Sequence, residues 1–66
     1  MQIQLNGSPK TIPDSMTVAA LLQELGVSAT CVVIELNTTI IQPDGYATVS
    51  LQDNDQVELI RFVGGG

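Results

Sequence analysis

The clearest chemical potential lies in residues 62–66 (Phe-Val-Gly-Gly-Gly), where an apolar stretch gives way to Gly64, Gly65 and Gly66. Glycine lacks a Cβ, so a glycine tail can enter a narrow channel and adopt backbone conformations closed to other residues. The α-carboxyl of Gly66 has a reference pKa of about 3.3 to 3.7, which makes it an ionised oxygen nucleophile near neutral pH. Such a carboxylate is suited to activation by a nucleotide in a partner's active site.

Residues 62–66 alone do not show whether the tail has a function. Chain ends are poorly ordered unless other contacts hold them, and glycine runs are also common in linkers. A frayed, functionless end therefore fits these five residues as well as a working group does. The elements that precede the tail must decide.

Length and composition argue against an independent enzyme. With 66 residues the chain is one small domain, below the roughly 70 to 80 residues at which one core comfortably supplies stability. Its single cysteine cannot form an intramolecular disulfide, and the absence of histidine excludes Cys-His and Ser-His catalytic pairs. The acids lack the spacing of a metal site. We expect no catalytic residues, no metal and no bound cofactor.

The charge balance excludes nucleic acid as the main partner. The formal net charge is -5, and Lys10 and Arg61 are the only basic side chains. This acidity favours a basic partner surface, or it serves solubility alone. No apolar run is long enough to span a bilayer and no secretory signal pattern is present. We expect a cytoplasmic protein that is monomeric when free and does not bind membranes.

The first half of the chain predicts two strands and a helix. Apolar and polar residues alternate over residues 1–5, Asn6-Gly7 favours a tight hairpin turn, and residues 9–12 form the second strand. Thr17 is the predicted N-cap of a helix and Gly26 its stop. The helix has one apolar stripe, formed by Val18, Leu21, Leu22 and Leu25.

The second half predicts three more strands. Residues 31–36 are too apolar for a strand with one fully solvated face, so this strand is expected inside the sheet. If Glu35 faces solvent, Cys31 and Val33 lie on the same face as Glu35. Cys31 is then predicted to be a small buried hydrophobe, with a redox or sulfur-relay thiol as the alternative. A short strand at residues 40–41 and a final strand at 56–63 complete the pattern.

Two groups near the end of the chain have competing interpretations. Asp53 and Asp55 resemble paired acids for metal binding or acid-base chemistry, but turn-forming side chains are the favoured interpretation. Ile60 and Phe62 alternate onto the polar face that carries Glu58. This pattern indicates a docking patch or simple packing against neighbouring side chains, and the sequence does not choose between them.

These elements predict an α+β fold with a mixed sheet of four to five strands and one helix packed across it. Residues 1–63 form the domain, and residues 64–66 form a flexible glycine tail. The final strand is expected to direct that tail away from the core.

The order of several short motifs resembles one family over nearly the whole chain. They are MQI at residues 1–3 with Asn6-Gly7, TVAALL at 17–22, ELN at 35–37 and DQVELIRFVGGG at 55–66. In this order and at this length they resemble the ThiS family, bacterial sulfur carriers of thiamine biosynthesis with the ubiquitin-like β-grasp fold.

The resemblance implies a mechanism in which the carrier is acted upon. An E1-like, ThiF-type enzyme would use ATP and magnesium to adenylate the Gly66 carboxylate. A cysteine desulfurase relay would then supply sulfur for a thiocarboxylate, which a ThiG-type thiazole synthase receives. In this mechanism Gly64, Gly65 and Gly66 enter partner active sites. We expect a docking surface that includes Val33, Ile60 and Phe62.

Three alternatives remain open at this stage. A MoaD-type sulfur carrier for molybdopterin synthesis has the same kind of tail. A ubiquitin-like modifier would join the same carboxylate to lysines of other proteins. A plain interaction module would have an inert tail, and its function would survive deletion of Gly65 and Gly66.

Overall fold

The computed structural model describes residues 1–61, which form one helix and one five-stranded sheet. The strands are β1 (Gln2–Leu5), β2 (Ser8–Thr11), β3 (Val32–Leu36), β4 (Thr39–Ile41) and β5 (Gln56–Arg61). The helix, α1 (Val18–Leu25), connects β2 to β3. Two 3₁₀ helices, Ala29–Cys31 and Pro43–Gly45, lie in the connections on either side of the β3–β4 hairpin.

The sheet has the strand order β2-β1-β5-β3-β4, so the last strand in sequence is the middle strand in space. It pairs with β1 in parallel and with β3 antiparallel. The hairpins β1–β2 and β3–β4 are antiparallel and form the two outer parts of the sheet. Proline at position 9 is tolerated because β2 is an edge strand, where no further strand requires its missing N–H.

Tight turns with left-handed residues fix the two hairpins. Asn6 and Gly7 have φ of 51° and 82°, as a two-residue type I′ turn requires. Asn37 and Thr38 occupy the equivalent turn between β3 and β4, with φ of 48° and 71°. A left-handed conformation is unfavourable for a β-branched residue, so Thr38 is the strained member of the four.

The helix begins and ends where the sequence predicts. The Thr17 side chain accepts a hydrogen bond from the Ala20 amide at 3.1 Å, and Gly26 ends the helix with φ of 71°. The buried positions are Val18, Leu21 and Leu22, so the predicted apolar stripe is the face that enters the core.

The core lies between the helix and one face of the sheet. It combines residues of the strands, the helix and the long β4–β5 connection, namely Ile3, Ile12, Val18, Leu21, Leu22, Val32, Ile34, Tyr46, Leu51 and Val57. Along β3 and β5, buried or partly buried positions alternate with more exposed ones, because successive side chains point to opposite faces. Within residues 1–61, no helix has the length and apolar character needed to cross a bilayer.

The α+β class, the mixed sheet and the single helix are confirmed, and the strand count is five. The second strand begins and ends one residue earlier than predicted. The predicted extension of the last strand to residue 63 and the predicted flexible tail at 64–66 lie outside the described residues.

The prediction for Cys31 is wrong. This residue is exposed and belongs to a 3₁₀ helix rather than to β3. The Ser28 side chain caps that helix by accepting a hydrogen bond from the Thr30 amide, and the Ser28 carbonyl accepts one from the Cys31 amide at 3.0 Å. This local capping delays the start of the strand to Val32, so Cys31 does not reach the core.

Candidate functional site

The strand that leads to the C-terminal residues is held on both sides. At its last described residue, Arg61 lies in register with Val32, the first residue of β3. Five residues follow Arg61 in the sequence, and the last three of them are Gly64, Gly65 and Gly66. The candidate site therefore comprises these five residues, the strand that carries them and the sheet surface around that strand.

The first strand fixes the position of β5 through the turn residue Asn6. Its backbone amide donates to the Val57 carbonyl at 2.9 Å, which continues the parallel pairing of the two strands. Its side-chain Oδ1 accepts a hydrogen bond from the Leu59 amide at 2.7 Å. One asparagine thus makes the β1–β2 turn and also extends the contact to β5 beyond the end of β1.

The β3–β4 turn holds the other side of β5 through Asn37. Its Oδ1 accepts a hydrogen bond from the Gln56 amide at 2.9 Å, and its Nδ2 donates to Asp55 Oδ1 at 3.0 Å. Its own amide donates to the Gln56 carbonyl at 2.8 Å. The beginning of β5 is therefore fixed from both neighbouring hairpins.

The two acids of the β5 turn serve the backbone, as the favoured interpretation predicts. Asp53 Oδ1 accepts a hydrogen bond from the Gln2 amide at 2.8 Å, and Asp55 Oδ2 accepts one from the Gln52 amide at 2.8 Å. Between them Asn54 adopts φ of 71°, which asparagine tolerates in a turn. The Asp55 carboxylate closes the turn that precedes β5, and the Asp53 carboxylate attaches this turn to the start of β1.

The sheet surface around β5 has a distinct composition on the side away from the core, which we call the open face. Val33 and Ile60 lie directly opposite each other in the β3–β5 register, and Glu35 and Glu58 form the next pair on the same face. On the other side of β3, Ile40 of β4 lies opposite Glu35. These five residues, Val33, Glu35, Ile40, Glu58 and Ile60, are called the open-face patch below.

The aliphatic members of the open-face patch are accessible. Ile40 is 56% exposed and Ile60 is 52% exposed, and these are the large hydrophobic side chains exposed among residues 1–61. An apolar groove of about 310 Å³ adjoins the patch and is lined by Val33 and Ile40 together with residues of the two 3₁₀ helices and Tyr46. Exposed aliphatic side chains grouped on one face are typical of a surface that another protein covers.

The structure brings together the two described members of the predicted docking set, Val33 and Ile60. The third member, Phe62, lies outside the described residues, as do Gly64, Gly65 and Gly66. Packing against the opposite strand, the alternative interpretation for Ile60, accounts for only part of its surface, because half of the side chain stays exposed.

Sequence analysis missed Ile40, Asn6 and Asn37 as members of the site. Ile40 joins the patch only through the pairing of β3 with β4, and the asparagines were recognised as turn residues rather than as holders of β5. For Asn6 and Asn37, the sequence offered one indication of a role, because both lie within the family motifs quoted above.

Comparison with known proteins shows the family. The ThiS family model matches residues 3–66. The sulfur carrier protein ThiS of Bacillus subtilis is 38% identical over 65 residues, which cover 97% of this chain and 98% of that protein. A thiazole synthase of Paramagnetospirillum magneticum is 42% identical over 66 residues. That match covers all of this chain but 20% of the synthase, so the chain spans about a fifth of that relative's length.

The solved structures give the same result for the fold. The crystal structure of the thiamine biosynthesis protein ThiS from Geobacter metallireducens matches with a TM-score of 0.86 and 35% identity, covering 100% of both chains. The solution structure of a thiamine biosynthesis protein from the same organism matches with a TM-score of 0.83. The predicted ubiquitin-like β-grasp fold is therefore confirmed, and the chain belongs to the ThiS family.

Proposed function

We propose that this chain is a sulfur carrier of thiamine biosynthesis and that the Gly66 carboxylate is the group that carries the sulfur. One observation supports this most strongly: the family match continues to residue 66 and so includes the terminal glycines. A match that ended before residue 62 would support the fold and leave the terminal glycines without a role.

The first chemical step is activation by a ThiF-type enzyme. A carboxylate does not lose an oxygen to an incoming nucleophile, because oxide is a very poor leaving group. In the proposed step a Gly66 oxygen attacks the α-phosphorus of ATP, pyrophosphate leaves, and an acyl adenylate forms with AMP as a good leaving group. In this proposal the partner supplies magnesium and the catalytic groups, and the carrier contributes the carboxylate alone.

The second step installs sulfur. A persulfide sulfur from a cysteine desulfurase relay attacks the acyl carbon, AMP leaves, and an acyl disulfide forms. A thiol reductant then attacks the relay sulfur, so the thiocarboxylate of Gly66 leaves. A second thiol frees the relay thiol, and the reductant is oxidised to a disulfide. This thiocarboxylate is a nucleophile that a ThiG-type thiazole synthase consumes, regenerating the carboxylate when the sulfur is released into product.

The fold suits such an arm. Strand β5 is the middle strand and is hydrogen-bonded to Asn6 and Asn37, so residues 62–66 follow a strand that is held on both sides. Five residues beyond Arg61 can span at most about 17 Å when extended, which is enough to reach a recessed active site.

The docking face in this proposal includes Val33, Ile60 and Phe62, to which the structure suggests adding Ile40. The thiazole synthase partner is supported by the similarity of the whole chain to a fifth of two bacterial thiazole synthases, which indicates that the two functions can occur in one polypeptide. Because the proposed partners use ATP and reduced sulfur, we further propose a cytoplasmic location.

Intact mass spectrometry tests the proposed function. The chain is incubated with ATP, magnesium, a ThiF-type enzyme, cysteine, a cysteine desulfurase system and a thiol reductant, beside a variant lacking Gly66. We expect a mass gain equal to the exchange of one oxygen for one sulfur, and no gain for the truncated variant. The partner enzymes are first shown to be active on another carrier of the family.

Three results would contradict the proposal in different ways. No mass gain with competent partners would exclude the carrier chemistry. Higher-mass adducts joined to lysines of other proteins would identify a ubiquitin-like modifier instead. Sulfur transfer to a molybdopterin synthase subunit, without transfer to a thiazole synthase, would retain the carrier chemistry and change the pathway.

A further inference from the structure

Two acidic side chains lie opposite each other in the middle of the open face. Glu35 of β3 and Glu58 of β5 are register partners, so their Cβ atoms are about 4.5 to 5.5 Å apart as in any directly opposed pair. Like charges directly opposite each other destabilise a sheet. Folding alone does not account for this pair, because uncharged residues at these positions would be more favourable.

No cation of the described residues neutralises the pair. The two ion pairs within residues 1–61 join Lys10 to Glu24 and the N-terminal amine to Asp14. Arg61 lies opposite the buried Val32, and by strand alternation it belongs to the other face from Glu58. The open face of the described structure therefore presents two carboxylates without a basic neighbour.

Aliphatic side chains border the two carboxylates. The Val33–Ile60 pair precedes them along the β3–β5 ladder, and Ile40 lies beside Glu35 on β4. A protein that covers these exposed isoleucines also removes water from around the carboxylates. Removing water strengthens any ionic contact that the two acids make, and it makes an unpaired carboxylate costly.

We propose that the open-face patch binds the activating enzyme through an arginine that enters between Glu35 and Glu58. A guanidinium has several donors in one plane and can bond both carboxylates at once, while its aliphatic stem packs on Ile60 and Ile40. A lysine ammonium is a single point charge and matches the pair less well. This proposal rests on the proposed function, because it specifies how the enzyme that adenylates Gly66 recognises the carrier.

The charge distribution argues against a second copy of the chain as the occupant. A symmetric dimer through this face would bring four carboxylates together, and the whole chain already has a formal net charge of -5. Like-charge contacts across an interface are strongly unfavourable. A partner with a basic centre and apolar surroundings fits the same surface.

The test compares two variants that remove the same charge. E35Q/E58Q neutralises the open-face pair, whereas E24Q/D14N neutralises two acids that take part in the ion pairs described above. The affinity of each variant for a ThiF-type activating enzyme is measured by titration calorimetry at low and at physiological salt. Urea unfolding of both variants reports the stability of the carrier.

We expect E35Q/E58Q to bind at least about ten-fold more weakly than the unaltered chain, with a smaller dependence of affinity on salt. Its resistance to urea should be equal or greater, because the like-charge pair has been removed. The control E24Q/D14N should bind within about two-fold of the unaltered chain, because exposed ion pairs contribute little. Loss of affinity combined with retained stability separates recognition from folding.

Equal affinities for E35Q/E58Q and the control would overturn the proposal. Dimerisation of the unaltered chain through this face, seen by sedimentation, would overturn it as well. Thiocarboxylate formation distinguishes a failure of the arginine contact from a failure of the proposed function. At saturating enzyme, E35Q/E58Q should still gain one sulfur. If it does, while its affinity matches the control, the arginine contact is wrong and the proposed function stands. If the unaltered chain neither binds nor gains sulfur, both proposals fail.

Discussion

The two faces of the sheet are built from the same strands and differ in almost every other respect. On the core side, Ile3, Ile34 and Val57 are at most 1% exposed and pack with the helix. On the open face, Ile40 and Ile60 are more than half exposed. The open face also carries two opposed glutamates, which no described cation neutralises.

This difference separates the residues that make the fold from those that need another explanation. Each buried core residue is accounted for by the burial of apolar surface, which stabilises the domain by about 25 cal/mol per Å². Exposed isoleucines and opposed glutamates contribute little to folding or oppose it. A surface that is unfavourable for the isolated domain is informative, because its composition is better explained by a partner.

The largest expected effect is on stability and tests the core side. Ile34→Ala removes a fully buried side chain, so we expect a loss of about 2 to 5 kcal/mol in the free energy of unfolding. Ile60→Ala on the open face should lose about 1 kcal/mol or less. Urea unfolding monitored by circular dichroism measures both. Similar losses for the two variants would mean that the core side and the open face contribute equally to the free energy of unfolding.

The second prediction concerns binding and tests the open face. Ile60→Ala should weaken binding to the activating enzyme by about ten-fold, equivalent to about 1.4 kcal/mol, because its exposed surface becomes buried in the complex. Thr11→Ala, on exposed edge strand β2, is the control and should leave the affinity unchanged. The affinity of each folded variant for the activating enzyme is measured with the enzyme immobilised on a sensor surface. An unchanged affinity for Ile60→Ala would show that Ile60 is not part of the docking surface.

The third prediction concerns the attachment of β5. Asn6→Gly keeps the left-handed turn but removes the oxygen that accepts the Leu59 amide, so we expect a loss of about 1 kcal/mol in stability. Hydrogen exchange at the Leu59 amide should accelerate. Asn54→Gly is a matched control, because Asn54 is also left-handed and its side-chain amide lies at a long 3.5 Å from Asp53 Oδ2. If both variants behaved alike, the Asn6 side chain would have no part in holding β5.

The smallest expected effect is a gain. Thr38→Gly removes a β-branched residue from φ of 71° and creates an Asn-Gly pair in the β3–β4 turn, so we expect the protein to become about 0.5 to 1 kcal/mol more stable. Thr39→Gly, in the following strand, should instead lower stability. Thermal unfolding of both variants measures the sign of each change. A loss of stability in Thr38→Gly would show that the threonine side chain contributes more than its strain costs.

Local chemistry explains which parts of the structure were predictable from the sequence. The Thr17 cap, the Gly26 stop and the Asn6-Gly7 turn all depend on residues close in the chain, and all three are confirmed. The prediction for Cys31 failed because one serine cap, also a local feature, was overlooked in a run that otherwise resembles a strand.

Long-range pairing explains what the sequence did not yield. Asn6 binds a residue 53 positions away and Asn37 binds one 19 positions away, so neither contact follows from local pattern. The same holds for the opposed Glu35 and Glu58, whose proximity depends on the register of β3 with β5. Val33 and Ile60 were grouped through alternation and resemblance, and Ile40 required the strand order.

The proposed function requires that Gly66 accept sulfur and pass it on, and a label-transfer experiment follows both events. The chain is first converted to the thiocarboxylate with a heavy sulfur isotope, purified, and mixed with a ThiG-type thiazole synthase and its small-molecule substrates. We predict that the label appears in the thiazole product while the carrier returns to the mass of its carboxylate form. A carrier that keeps its label while the synthase is active with another family member would contradict the account.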